Sequence, residues 1–527
     1  MVEKVQINNI NQYPRIPIDF FPRIPPLQKV KDKTKIDVRY MVIVPYVSIH
    51  IYYDAKSGEV IYDVEEPIIS NEEQANLNRI EQAMREVVNV NMAGDDNSKE
   101  ALLDYIDKTA RLIISELSLP IEEDAYEKMF YYLYRNFIGL NEIEAMMQDY
   151  FIEDIECNGM GETMYIVHRV FRNIKTNVKF NDMDKLSSFV EKLAQKTGRY
   201  ISYASPILDG SLPDGSRVNA TYTQDISSKG PTFTIRKFTK TPWTPTQLLG
   251  FHTMSPEMLA YFWILLQYQS NIMIVGGTAS GKTTLLNAVA FFIPQENRVV
   301  SIEDTRELNL PRENWLPSVV RSGVSSAGVG EIDMFSLLRS SFRQNPDYVI
   351  VGEVRGKEAS VLFQGMASGH ASIATMHGDS VDSIIRRLET PPISLSPMLV
   401  NGLDAMAIMT HAIVNGNETR KLREIVEVIK VEADGTALTN TPFKWNPADD
   451  KFYYAKDSRI FDKIADKFGL SKDELKKEFE IRARLLYALF QNKVLSYEDV
   501  QRVINDYSKK PNEILKKYGV VGQAPAQ

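Results

Sequence analysis

The chain has 527 residues, 44% of them apolar and 25% charged. These are the values of an ordinary globular protein with material for three or four units of about 150 residues each, so a single small module and wholesale disorder are both excluded. Its 61 basic and 69 acidic residues leave a formal charge of −8, which argues weakly against a nucleic-acid coat, and its one cysteine, Cys157, excludes an intrachain disulfide framework or a four-thiolate zinc site.

No apolar run approaches the roughly 20 residues that cross a bilayer. Met1 to Asn11 carries Glu3 and Lys4 without a long apolar core and does not read as a secretory signal; a cytosolic protein is expected. Residues 1–68 read as an arm and a small β element. Gln12 to Lys31 is rich in proline around Phe20 and Phe21, a pattern of extended chain, and Lys29, Lys31, Lys33 and Lys35 behind it form either a contact for an anionic membrane or a solvated cluster. Val38 to Tyr53 alternates, with Pro45 interrupting, and turns at Ser57-Gly58 into Glu59 to Val64.

Over 69–149 the period becomes helical. Leu77, Ile80, Met84, Val87 and Val88 lie on one stripe, Leu102 to Leu117 and Tyr126 to Phe137 repeat it, and Ala93 to Asn97 breaks the first two; a bundle of about three helices is predicted. Residues 150–238 read as an α+β domain, with strands at Met164–Val167, Thr176–Phe180, Arg217–Thr223 and Thr232–Phe238 around a helix near Lys185 to Lys196. A linker is expected at 239–247, from the prolines and threonines of Thr239 to Thr246. Residues 248–446 read as βαβ units on a largely parallel sheet. The remainder, 447–527, reads as charged helix from Asp457 to Lys517 and a polar tail from Val520. Lys472 to Arg484 alternates acids and bases as exposed helices do, while Leu485, Leu486, Leu489 and Phe490 read as core.

The apolar run Asn271 to Val275 feeds directly into Gly276-Gly277-Thr278-Ala279-Ser280-Gly281-Lys282-Thr283-Thr284 and then into apolar helix. This is a phosphate-binding loop in the context it needs. Glycines let successive N–H groups face phosphate oxygens, Lys282 brings a mobile positive charge, the Thr283 hydroxyl suits Mg²⁺, and the helix N-terminus adds its dipole. Three further strand patterns carry chemistry at their carboxyl ends, where parallel sheets bind ligands. Arg298 to Ile302 ends in Glu303, Asp304 and Glu307, Asp347 to Val351 in Gly352, Glu353 and Arg355, and Ala371 to Thr375 in His377. Gly352 stands where such loops often carry a second acid. Singly each group reads as a solvated residue; together they point to NTP hydrolysis.

In order and spacing, the phosphate loop, Ile302 to Leu308, Val349 to Arg355 and Ala374 to Gly378 resemble the ATPases of type II and type IV secretion systems. More narrowly the chain resembles the archaeal branch that drives type IV pilus assembly or the archaellum. Outside the motor core, Phe137 to Gly139, Ile152 to Glu156, Tyr165 to His168, Leu212 to Arg217 and Thr234 to Phe238 resemble that branch's N-terminal domain. The resemblance runs from about Pro120 to Asn446. It implies an α/β fold with a RecA-like P-loop NTPase motor domain, an N-terminal helical plus α+β (PAS-like) region and a helical C-terminal extension.

It also implies roles. ATP and Mg²⁺ are the expected ligands, with Glu303 as the base for the attacking water, Glu353 on Mg²⁺ through water beside Thr283, and His377 as the γ-phosphate sensor; exchange of the Glu303 and Glu353 roles stays open. His370 is placed equally between a site role and a core role. An arginine from another subunit is expected, with Arg217 and Arg236 as candidates, Arg355 as a finger or a structural partner, and Arg321, Arg339 and Arg343 also open. The expected assembly is a homohexamer at the inner face of the cell membrane, working on a polytopic membrane platform protein through domain motion at the linker. A nucleic-acid translocase or conjugation-type motor, and a non-hydrolysing scaffold, are the alternatives; no basic, aromatic-interleaved stripe supports nucleic acid.

Overall fold

The computed structural model describes residues 18–19, 27, 32–87, 99–238, 241–321, 330–414 and 416–520. Most of the proline-rich arm with Phe20, Phe21, Lys29 and Lys31, the Ala93 to Asn97 break, Val88, Thr239 and the tail beyond Val520 lie outside them. Two compact units emerge, 1–238 and 239–527, with the boundary at the expected linker. The six segments read from the sequence are therefore parts of two units.

The first unit holds β1 (Asp37–Ile43), β2 (Val47–Asp54), β3 (Glu59–Glu65), β4 (Ile152–Cys157), β5 (Thr163–His168), β6 (Arg172–Lys179), β7 (Ile207–Ser211), β8 (Arg217–Thr221) and β9 (Thr232–Arg236). They form one sheet in the order β1-β2-β3-β6-β5-β4-β9-β8-β7. The small β element and the α+β region are joined because β3 pairs with β6, Ile61 opposite Lys175, a contact between distant segments that strand periodicity does not report. Alternation sets the buried face: Val47, Ile49 and Ile51 are fully buried while the residues between them are not. Helices Asn71–Val87, Lys99–Glu116 and Glu123–Leu133 supply the bundle and share a core with the sheet, as does Met183–Lys196, capped by the Asp182 carboxylate on the Asp184 and Lys185 N–H groups. Cys157 is buried, and burial pushes its thiol up to about 11, which makes it inert.

The second unit holds β10 (Ile272–Gly276), β11 (Val299–Glu303), β12 (Trp315–Val319), β13 (Tyr348–Val354), β14 (Ala371–His377), β15 (Ala405–Val414), β16 (Asn417–Val431), β17 (Ala437–Asn446) and β18 (Lys451–Tyr454), in the order β12-β11-β13-β14-β10-β15-β16-β17-β18. β10 to β15 run parallel, and β16 to β18 continue antiparallel. The sheet thus passes the expected limit at 446. Both faces of its parallel half are covered: Ile272 and Ile274 point into one core, Met273 and Val275 into the other, which is why β10 reads as an unbroken apolar run.

Helix Pro256–Gln267, capped by Ser255, is buried on every side between the sheet and the C-terminal helices. Leu485, Leu486 and Leu489 of helix Lys472–Gln491 are fully buried in that core, as expected. Arg482 departs from the exposed reading: it is 2% exposed, pairs with Glu478 at 2.8 Å and lies over the Trp263 ring at 4.8 Å. The linker is also shorter than expected. Trp243 packs edge-on against Phe251, while the Thr244 and Thr246 hydroxyls donate to the Leu495 and Val494 carbonyls, so the chain from Trp243 onward belongs to the second unit. Among the described residues no helix is long and apolar enough to cross a membrane.

Candidate nucleotide site

The parallel strands bring their carboxyl ends to one rim. In register, Gly276 at the end of β10 lies between His377 of β14 and Met409 of β15, and β13 then β11 continue outward from β14. The rim therefore runs Glu303, Glu353, His377, phosphate loop. Glu303 and His377 close their strands, while Glu353 is the next-to-last residue of β13.

Local sterics explain the loop's glycines. Gly281 takes φ +94° just before helix Lys282–Ala290, a backbone that favours glycine. A side-chain carbon at Gly276 would come 2.4 Å from Ser280 Oγ and 2.8 Å from the Met409 carbonyl. Gly277, Thr278 and Ala279 are exposed, so the cradle opens outward. Lys282 folds back over it, donating to the Gly276 carbonyl at 3.1 Å and the Gly277 carbonyl at 2.9 Å. Burial lowers its pKa, with Glu353 and Glu307 pulling the other way. A buried ammonium held by neutral carbonyls at a helix N-terminus is a seat for phosphate. Thr283 and Thr284 are partly exposed in the first helical turn.

The two acids differ sharply. Glu303 is 2% exposed; its Oε1 accepts from the Glu307 and Leu308 N–H groups, both at 2.9 Å, and its Oε2 is buried without a partner. Burial, with the Glu307 charge adding to it, raises its pKa to about 7, against the two backbone N–H groups and Arg306 that lower it. Glu353 is only part-buried. Burial pulls its pKa up, but the Arg355 hydrogen bond and charge, His377 and Lys282 outweigh that and hold it below the usual carboxylate range. Arg355 donates to Glu353 at 2.6 Å and pairs with Asp304 at 3.1 Å, the geometry of a structural partner for both acids. His377 Nε2 lies 3.5 Å from Glu353 Oε1; partial burial first, then Lys282, keep the imidazole below its ordinary pKa and so neutral at pH 7.

Gly352 has a physical reason. A carbon added there would meet Glu303 Cγ at 3.1 Å, so a second acid at this position competes with Glu303 for space. Gly352→Ala is expected to push the Glu303 carboxylate out of line and lower kcat roughly tenfold or more; ATPase assay beside ADP titration checks that binding is spared.

The remaining sequence candidates separate. His370 precedes β14 and so lies at the opposite end of that strand from His377, edge-on to Phe342 at 4.9 Å, which removes it from the site. Arg217 and Arg236 belong to the first unit, directly opposite each other on β8 and β9; Arg217 pairs with Asp209 at 2.9 Å and Arg236 with Asp154 at 3.1 Å. Arg321 donates to the Gly330 carbonyl, Arg339 packs over Phe335, and Arg343 is exposed on a 3-10 turn.

Two residues escaped the sequence reading. Arg420 of β16 donates to the Ala279 carbonyl at 2.9 Å, bracing the phosphate loop from a hairpin 141 residues on, a distance at which no motif signals it. Asn287 is a buried amide in the apolar helix that follows the loop; a polar side chain among Leu285, Leu286, Ala288 and Val289 was the available signal.

The chain resembles known proteins along most of its length. Residues 145–426 match the family model of the type II/IV secretion system protein. An uncharacterized protein of Methanocaldococcus jannaschii is 36% identical over 403 residues, taking in 75% of this chain and 72% of the relative. A probable conjugal transfer protein TrbB of Sinorhizobium fredii is 33% identical over 233 residues, covering 43% of this chain and 68% of the relative. Among solved structures, the pilus retraction motor PilT with bound ADP shares 15% identity over 71% of this chain and 97% of that one, at a TM-score of 0.39. By the family match and the archaeal relative, the chain belongs to the type II/IV secretion system protein family.

Proposed function

We propose that the protein is an ATP-hydrolysing motor that works as a homohexamer on the cytoplasmic membrane face and powers assembly of an archaeal type IV pilus-like filament or archaellum. The observation that carries the ATPase reading is the shared rim: phosphate loop, His377, Glu353 and Glu303 converge from four parallel strands of one sheet. The filament reading rests on the family and on the resemblance of the sequence to its archaeal branch.

Gly276 to Thr284 hold the triphosphate, with Lys282 turning from the loop carbonyls to the phosphate oxygens. Thr283 and the ionised Glu353 would hold Mg²⁺, Glu353 through water; the ion supplies charge neutralisation on the phosphates when bound. Glu353 fits, since its Oε1 makes no hydrogen bond and lies on the rim one strand beyond His377 from the loop. Glu303 Oε2 orients the attacking water and takes its proton, a task suited to a carboxyl that titrates near neutral pH. His377, neutral and beside both Gly276 and Glu353, reports phosphate occupancy to the sheet. Arg217 and Arg236 supply positive charge to the neighbouring subunit's site, exchanging their Asp209 and Asp154 partners for phosphate oxygens. Rotation of the first unit at the residues before Trp243 then moves the platform protein.

A conjugation-type motor is the second reading, favoured by the relatives described as conjugal transfer proteins. Steady-state ATPase rates with anionic lipid vesicles and with single-stranded DNA, at matched salt, separate the two. The filament motor is stimulated by lipid and not by DNA; stimulation by DNA alone replaces it with the translocase.

A further inference from the structure

The loop after β11 does two things at once. Within three residues, its Glu307 and Leu308 N–H groups hold Glu303 Oε1, and its Glu307 carbonyl and Asn309 N–H are both held by one side chain of the phosphate-loop helix. Asn287 Nδ2 donates to the Glu307 carbonyl at 3.3 Å and to the Thr283 carbonyl at 3.3 Å, and its Oδ1 accepts from the Asn309 N–H at 3.1 Å. The amide is 4% exposed and spends both ends. On the other flank the Asn309 carbonyl accepts from Tyr497 of the C-terminal helices at 2.8 Å, and Leu308 between the two ties is fully buried.

We propose that Asn287 is a positioning residue for hydrolysis, which locks the loop that cradles Glu303 to the helix that begins with Lys282 and Thr283 and so fixes the base relative to the phosphates. The proposal rests on the reading of Glu303 as the base. Its physical content is a short chain of bonds: Thr283 to Asn287 within the helix, Asn287 to Glu307 and Asn309 across to the loop, and Glu307 and Leu308 back to the carboxylate. Breaking the middle link takes the amide away from a part-buried carbonyl and a part-buried N–H. The loop then shifts to find other partners, and the two N–H groups that aim the carboxylate shift with it. Rates respond steeply to such displacements, about 10²-fold for 1 Å. The phosphate loop itself is held separately, by Lys282, Ser280 and Arg420, so nucleotide affinity is insulated from the change.

The test uses the full chain with Asn287→Asp, which keeps the volume and the acceptor but removes both donated bonds, and Asn287→Ser, which shortens the side chain. kcat for ATP and the affinity for a fluorescent ADP analogue are measured for each, beside Glu303→Gln. The expected result is a kcat reduced roughly 10- to 100-fold with ADP affinity within about threefold of wild type, in whichever of the two variants retains the wild-type circular dichroism spectrum. A kcat within twofold of wild type overturns the proposal, as does an equal fold-loss in kcat and ADP affinity, which assigns Asn287 to the phosphate loop alone. If Glu303→Gln itself hydrolyses ATP at the wild-type rate, the base reading fails first and independently.

Discussion

Glu303→Gln is expected to lower kcat for ATP by roughly 10²- to 10⁴-fold, the usual contribution of a positioned base, while leaving ADP affinity almost unchanged. Glutamine keeps the shape and the acceptor that the Glu307 and Leu308 N–H groups use, so the loop stays folded. What it loses is Oε2 as a proton acceptor, the one atom of the group that has no partner. The same carboxyl is expected to set the pH dependence. Burial raises its pKa to about 7, so it is protonated, and unable to accept a proton, below that pH. Activity should therefore rise as pH increases through about 7 in the wild-type protein, and the residual activity of the glutamine variant should not follow that limb. Equal rates in the two proteins, or a wild-type rate flat between pH 6 and 8, would assign the base elsewhere, with Glu353 the next candidate.

Lys282→Ala is expected to be more complete, because it removes binding as well as catalysis. The ammonium is the cation of the loop itself, poised on the Gly276 and Gly277 carbonyls at the N-terminus of the helix. On the proposed mechanism its loss removes a charge that stabilises both the bound triphosphate and the charge developing in the transition state. ATP affinity should fall at least roughly tenfold and kcat/KM at least roughly 10³-fold. Isothermal titration with ATP and an ATPase assay separate the two effects. The variant should remain folded, since alanine removes a buried charge from a helix start and leaves the surrounding core intact. Undiminished ATP binding would mean that the loop is a structural turn.

These predictions draw on features that were unequally legible in the sequence. The phosphate loop was fully so, because strand, glycines, lysine and helix are consecutive and each element is defined by near neighbours. The convergence of Glu303, Glu353 and His377 was also readable, since each closes or nearly closes an apolar run and parallel strands end on one side of a sheet. Direction along a strand separates His377 from His370, because the apolar run Ala371 to Thr375 lies between them and only His377 falls beyond its carboxyl end. Pairing between distant segments was not legible at all: β3 against β6 merges two apparent domains into one sheet, and Arg420 reaches the phosphate loop through the β15–β16 hairpin. Charge alternation misled at Arg482, whose neighbours Phe479, Ile481 and Ala483 are buried too. A guanidinium stacked on Trp263 and paired within its own helix can enter a core. Gly352 shows the reverse case, a departure from an expected motif explained by the neighbouring side chain on β11 that occupies the space.

The most direct measurement is the steady-state release of phosphate from ATP by the purified full-length chain, with Lys282→Ala as the blank. Turnover is expected to require Mg²⁺, to exceed the blank by at least roughly 10³-fold, and to rise in specific activity with protein concentration as subunits assemble and complete one another's sites. Phosphate release no greater than the blank at any protein concentration would contradict the proposed function, and would leave a nucleotide-binding scaffold that does not hydrolyse.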